Sequence, residues 1–281
     1  MPITLPLATM GGMRAPDPFD LIFARGSMLA WDPPVPRPGA PALLLLHGAA
    51  CGPWVWAEGF GARLAAAGFP VFAPGFNRGS TQSPAGLADY ADDARAAIAA
   101  IHRPVVIVGH SLGGLVAQRL LDQPGVAGIA LLAPAPPEGL AWANWRLAMA
   151  DPPLWRAVAR MTEPGAGAAQ AALLRRALFG PAMPEALALR HIARMGSESR
   201  SALLEAQAPQ PVPPAWGVGK PAVVYGARRD PLVPPDAVVR TAAWHAAPFA
   251  LLDGVAHAMM LDWGWESLAD RLLAWVEESW K

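Results

Sequence analysis

The sequence predicts an α/β fold: a mostly parallel central sheet with helices on both faces, interrupted by an inserted set of helices. Two observations carry this reading. Between residues 42 and 132, short apolar runs of strand length alternate with longer amphipathic runs, the pattern written by a parallel sheet with crossover helices. The alternation stops over residues 135–216, which hold no strand-like run, and returns from Ala222 onward.

Taken in order, Phe19–Ala24 and Met28–Trp31 flank Arg25-Gly26-Ser27 and read as an antiparallel hairpin at a sheet edge. Leu43–Leu46 is the first buried strand. A Gly/Trp loop follows, then a helix over Gly59–Ala67 that stops at Gly68, and Pro70–Ala73 resumes as strand. After a polar turn from Pro74 to Pro84, Leu87, Tyr90, Ala91, Ala94, Ile98 and Ile101 recur at spacings of three and four, which makes Gly86–Ile101 an amphipathic helix. Val105–Val108 is apolar and β-branched without polar alternation, so both of its faces must be covered, as in a central parallel strand. A helix over Leu112–Asp122 and a strand over Val126–Leu132 complete two strand–helix–strand units. Helices fill the stretch from Pro134 to Pro214. A strand at Ala222–Tyr225, a helix near Asp236–Ala246, a strand at Phe249–Leu252 and a closing helix from about Gly264 to Trp280 finish the chain. The expected division is a core of residues 1–134 and 217–281, with a helical cap at 135–216.

Composition narrows the function. The 281 residues are 53% apolar and only 16% charged, against a usual charged share of about 25%, so disorder is not expected. Twenty-two basic and twenty-two acidic side chains leave no net charge, and without a basic field nucleic acid is not an expected partner. A single cysteine, Cys51, rules out an intrachain disulfide and a cysteine-based zinc site, and reads as a packed residue. Met1–Arg14 lacks a basic region ahead of an apolar stretch, and no apolar run reaches the roughly 18 residues of a membrane span. A cytoplasmic location is therefore expected. No internal repeat is present, and the sequence leaves open both the oligomeric state and whether Met1–Gly12 covers a sheet edge.

The central strand runs directly into Gly109-His110-Ser111-Leu112-Gly113-Gly114 and then a helix, which is G-x-S-x-G in the setting of strand, sharp turn and helix. The glycines let the segments on either side of the serine close on each other and lift its hydroxyl above the strand end. A serine hydroxyl is a weak nucleophile that needs a base, and the base needs an orienting group. Among the histidines, His110 lies inside the turn and points away from the serine. His102 precedes a strand at the far end, His191 lies in the insertion and His245 within a helix. His257 follows the last strand through Asp253-Gly254-Val255-Ala256 and emerges on the same edge as Ser111. Asp230 emerges there too, after Ala222–Tyr225, and gives the chain order Ser111, Asp230, His257. Glu138 is the alternative acid. Asp253 reads as turn-forming and Asp262 as an N-cap near Gly264.

From about Ala42 onward the chain resembles an α/β-hydrolase with a helical cap. The resemblance rests on Leu46-His47-Gly48, Trp54-Val55-Trp56, Asn77-Arg78-Gly79-Ser80, the GHSLGG turn, Asp230 and His257-Ala258-Met259-Met260. It implies a serine hydrolase with an oxyanion hole from the Ala49 and Leu112 N–H groups, Ala50 being the fallback for the first, and a structural His47 holding that loop. Ser111 separates the chain from epoxide hydrolases and haloalkane dehalogenases, whose nucleophile is an aspartate. The turn from Pro74 to Gly79 lacks the acidic residue and histidine often found in relatives, which implies different loop packing. The expected activity is hydrolysis of small to medium apolar esters through an acyl-enzyme, with neither metal nor other cofactor. Lactone opening or carbon–carbon cleavage by the same triad stays open, as does a non-catalytic binding role. Candidate substrate contacts are His110, Trp54, Trp142 and Trp145. Trp56 is an alternative pocket residue, while Trp142, Trp145, Trp155, Met149 and Met161 are first of all expected on the buried face of the cap. Arg175-Arg176 and Arg228-Arg229 read as solvated charge.

Overall fold

The computed structural model describes residues 8–9, 28–160 and 168–280. Among the described residues eight strands form one sheet: β1 (Ala8–Thr9), β2 (Met28–Trp31), β3 (Ala42–Leu46), β4 (Val71–Pro74), β5 (Val105–His110), β6 (Val126–Leu132), β7 (Ala222–Ala227) and β8 (Phe249–Leu252), in the spatial order β1-β2-β4-β3-β5-β6-β7-β8. The six from β3 to β8 are parallel; β2 runs antiparallel to β4 and carries β1 on its outer side. Of the expected hairpin, Phe19–Ala24 lies outside the described residues, and Met28–Trp31 takes β4 as its antiparallel neighbour.

Successive side chains of a strand point to opposite faces. Leu43 and Leu45 therefore join Val106 and Val108 on one face, against α2 (Phe60–Ala66) and the closing helix α12 (Trp265–Ser279). Leu44, Leu46, Val105 and Ile107 face the other way, against α3 (Leu87–Ile101), α4 (Leu112–Arg119) and α11 (Pro235–His245). Each leucine sealed in this way contributes about 2 kcal/mol, which is why β3 and β5 are apolar on both faces. The stretch read as a Gly/Trp loop contains one helical turn, α1 (Trp54–Ala57).

Between β6 and β7 the described chain forms α5 (Ala141–Ala150), α6 (Pro152–Ala159), α7 (Ala168–Leu178), α8 (Glu185–Ala193), α9 (Arg200–Glu205) and α10 (Ala215–Val218). The tryptophans here differ from expectation. Helix α5 buries only Ala143 and Leu147, and Trp142, Trp145 and Met149 occupy its exposed face. The buried face of α5 is narrow, Ala143 and Leu147 alone, and leaves no room on it for the larger side chains. Trp155 is partly exposed, and Met161 lies outside the described residues. Among the described residues no helix is long and apolar enough to cross a membrane.

Candidate active site

The chain leaves β5 into a tight reversal, with Ser111 at φ 51°, ψ −117°, a conformation that costs a non-glycine residue about 1–3 kcal/mol. Its surroundings over-determine it. The Ser111 N–H donates to the Leu132 carbonyl at 3.0 Å, and the Ser111 carbonyl accepts from Gly114 at 2.9 Å and Ala135 at 3.0 Å. A Cβ on Gly109 would stand 2.5 Å from the Gly113 carbonyl oxygen, and one on Gly113 would stand 2.5 Å from that of Leu46. Glycine is required at both positions, at Gly109 for the approach of β5 to the start of α4 and at Gly113 for that of α4 to the end of β3.

A second layer supports the turn from behind. Gln118 of α4 donates from its amide nitrogen to the carbonyls of Gly114 and Ala135, each at 3.0 Å. Its oxygen lies 3.1 Å from His245 Nε2, while His245 Nδ1 accepts the Ala215 N–H at 3.1 Å. That backbone donor fixes the tautomer with the proton on Nε2. Burial holds His245 neutral, lowering it to about 4.

The structure brings Ser111, His257 and Asp230 together. His257 Nε2 is 3.0 Å from Ser111 Oγ, and His257 Nδ1 is 2.7 Å from Asp230 Oδ2. An ionised carboxylate only accepts, so Nδ1 carries the proton and Nε2 presents its lone pair to the hydroxyl. The other Asp230 oxygen accepts from the Leu232 and Val233 N–H groups at 2.8 and 3.0 Å, and the residue is buried. Glu138 is elsewhere: exposed, it pairs with Arg240 at 2.6 Å. Asp253 is exposed and pairs with Arg228.

Asp262, read as an N-cap, does not cap the closing helix, whose N-cap is Gly264 with no side-chain bond. Fully buried, it accepts from Gly180 and Ala256 on one oxygen, both at 2.7 Å, and from Trp263 on the other at 2.8 Å. It thereby ties the residue before His257 to the segment after α7. Burial raises its carboxyl above the ordinary range, against the pull of those three N–H groups. Arg175, read as solvated, donates to the Met183 carbonyl at 2.8 Å, and Arg176 pairs with Asp151.

Of the two N–H groups implied for an oxyanion, Leu112 opens α4 directly after Ser111, and Ala49 stands in the loop after β3. Neither has a protein acceptor among the described residues. Ala50 is committed, since its N–H donates to Glu198 at 2.7 Å and its carbonyl accepts from Gly196 at 2.8 Å. His47 Nδ1 donates to the Gly48 carbonyl at 2.9 Å and Nε2 faces the Phe76 N–H at 3.4 Å. Burial, with Arg78 beside it, lowers His47 to about 4, so it is a neutral prop of this loop.

A cavity of about 710 Å³ opens above these groups, lined among others by Ala49, Ser111, His257, Trp54, His110 and Trp145. Trp142 does not line it; it is exposed and stacks on Trp145 at 4.9 Å. Trp54 is held between the Arg194 guanidinium, 4.3 Å from its ring, and His191 at 6.1 Å, whereas Trp56 is buried in the core. His110 Nε2 donates to the His257 carbonyl at 2.9 Å, and burial together with the nearby His257 lowers it to about 3. Cys51, read as a packed residue, is partly buried against the core and also lines the cavity, and desolvation pushes its thiol up to about 12. His191, placed by sequence in the insertion without a role, stands in the wall, and Glu198 under the loop escaped the sequence reading. Local sequence carries no signal for these roles: His191 directly follows Arg190, and Glu198 sits in the polar run from Ser197 to Ser201, where, directly before a serine and a helix, it reads locally as a cap.

The alpha/beta hydrolase family profile matches residues 43–270. Among solved structures, the chain is similar to a monoacylglycerol lipase of Paleococcus ferrophilus (TM-score 0.62, 17% identity, 90% of this chain and 98% of that one). It is also similar to a carboxyl esterase of Bacillus coagulans (0.63, 12%, 92% and 96%) and a bromoperoxidase of Bacillus anthracis (0.61, 15%, 89% and 94%). At these identities the likeness speaks to the fold. No curated protein sequence matches at a significant level.

Proposed function

The chain belongs to the alpha/beta hydrolase family, and from that premise we propose a carboxylic-ester hydrolase that works through an acyl-enzyme on Ser111. The observation that carries the reading is the continuous chain Ser111 Oγ, His257, Asp230 at the wall of a largely apolar cavity. In this mechanism His257 Nε2 takes the hydroxyl proton as Oγ attacks the ester carbonyl, and Asp230 stabilises the resulting imidazolium. The Ala49 and Leu112 N–H groups receive the oxyanion, each such donor lowering the barrier by about 3 kcal/mol. His257 then protonates the leaving alcohol, activates water and regenerates the serine as the acid departs.

The cavity volume falls within the range of about 300–1,000 Å³ usual for small ligands, which supports small to medium apolar esters. The helices at 135–216 act as its cap, with Trp54 and Trp145 in the wall. Hydrolysis of p-nitrophenyl esters from acetate to octanoate, by the native protein and Ser111→Ala side by side, tests the reading. Turnover that collapses in the variant is expected; equal rates would overturn it.

A second reading has its own observation. His191, Asn144, Gln207 and Arg200 place polar groups in the otherwise apolar wall, which suits a lactone or a vinylogous diketone cleaved at carbon. A ring-fission dienoate turned over faster than aryl esters would favour it.

A further inference from the structure

Glu198 is a buried carboxylate in the segment between α8 and α9, and it reaches out of the inserted helices into the loop after β3. One oxygen accepts the Ala50 N–H at 2.7 Å. The other accepts the Ser199 N–H at 2.7 Å, the Tyr90 hydroxyl and, at 3.2 Å, Arg78 Nε. Arg78 also donates to the Cys51 carbonyl, and the Gly196 N–H donates to that of Ala50 at 2.8 Å. Ala50 is thus held from both sides of its backbone, in a left-handed conformation with φ 57° that alanine does not choose unaided. The loop's own closing bond, Cys51 N–H to the Gly48 carbonyl, is long at 3.4 Å. Its geometry is therefore imposed from outside.

We infer that Glu198 is a positioning residue for the oxyanion hole: by gripping Ala50 it fixes the adjoining peptide and aims the Ala49 N–H, so that the inserted helices set the geometry of catalysis as well as the shape of the cavity. The inference rests on the ester-hydrolase reading for its kinetic consequence. Glu198 itself touches no reacting atom. Displacing a catalytic donor by about 1 Å can cost about 100-fold in rate, and this sets the size of the effect.

The test compares the wild type with Glu198→Ala, Glu198→Gln and Tyr90→Phe in the full chain, with rates normalised to folded protein. Three readouts are taken: kcat and KM for a p-nitrophenyl ester, affinity for a trifluoromethyl ketone whose adduct carries the oxyanion, and amide exchange over residues 48–51. For Glu198→Ala we expect kcat to fall about 100-fold with KM within about threefold. Ketone affinity should fall in parallel, binding of the product acid should stay unchanged, and Ala50 exchange should accelerate. Glu198→Gln, which keeps an acceptor, should recover part of the loss. Unchanged exchange, or a kcat loss without loss of ketone affinity, would overturn the inference. Should Glu198→Ala not fold, Tyr90→Phe carries the same comparison with a smaller effect, and unchanged kcat and exchange in it would count equally against the grip. The ester-hydrolase reading fails separately, on the wild type's rate with esters, while the ketone and exchange comparisons still judge Glu198.

Discussion

Asp230 and Asp262 are held by backbone N–H groups, and this sets what a single change of oxygen to nitrogen does. In Asp262→Asn the new NH2 must face either the Trp263 N–H or the paired Gly180 and Ala256 N–H groups, setting donor against donor in a buried place. Urea unfolding should show a loss of about 1–3 kcal/mol, and kcat should fall because Ala256, next to His257, loses its support. Full stability would refute the account. Cys51 gives the opposite kind of prediction. With its thiol pushed up to about 12 by burial, it carries almost no thiolate at pH 8, so iodoacetamide should leave it unmodified in the native protein and alkylate it in urea.

At the scale of elements, the turn between β5 and α4 has no slack. Gly113→Ala places a methyl against the backbone carbonyls of Leu46 and His47, neither of which can move without shifting β3. A loss of about 3 kcal/mol is expected, readable as a lowered melting temperature. On the outer face of α5, by contrast, Trp142→Ser should change stability by less than about 0.5 kcal/mol, since the side chain is exposed and touches chiefly Trp145. The pair shows what the sequence makes legible. The runs at β3, β5 and β6 and the turn glycines are local signals, because strand burial and turn sterics act on neighbours in the chain. Which side of α5 would face inward was not legible, since its apolar residues, small and large, lie on every side of the helix around the two polar positions Asn144 and Arg146, and only tertiary packing chooses between them. The links Ser111–His257–Asp230 were approached through topology, which sends strand ends to one edge. Those of Glu198 to Ala50 and of Asp262 to Gly180 span 148 and 82 residues with no local mark.

For the whole molecule, four buried histidines, His47, His110, His191 and His245, are all pushed down from 6.5, to between about 3 and about 4, chiefly by burial. Folded, they stay neutral; unfolded, they bind protons below pH 6.5. The stability they confer is therefore present above 6.5 and is lost as pH falls from there towards 4, each contributing a slope of about 1.4 kcal/mol per pH unit. Asp262, whose carboxyl is raised, works in the opposite sense. Urea titrations between pH 7.5 and 5 should show this decline. Replacing His245 by Asn should reduce the protons taken up on unfolding at pH 5.5 by about one, and a flat profile in the parent would contradict the assignment.

The turn at Ser111 and its partners also arrive at different times. Roughly ninety residues lie between the end of β6 and the start of β7, and at about 5–20 residues per second the ribosome needs several seconds to deliver them. Through that interval β6, destined for the middle of the sheet, is an unpaired margin of Ile129, Ala130, Leu131 and Leu132 with open N–H and C=O groups. The nascent chain thus carries the Ser111 turn without Asp230, His257 or the His245 behind it, and with an adhesive margin exposed, and its dependence on chaperones should be greatest at that stage of synthesis.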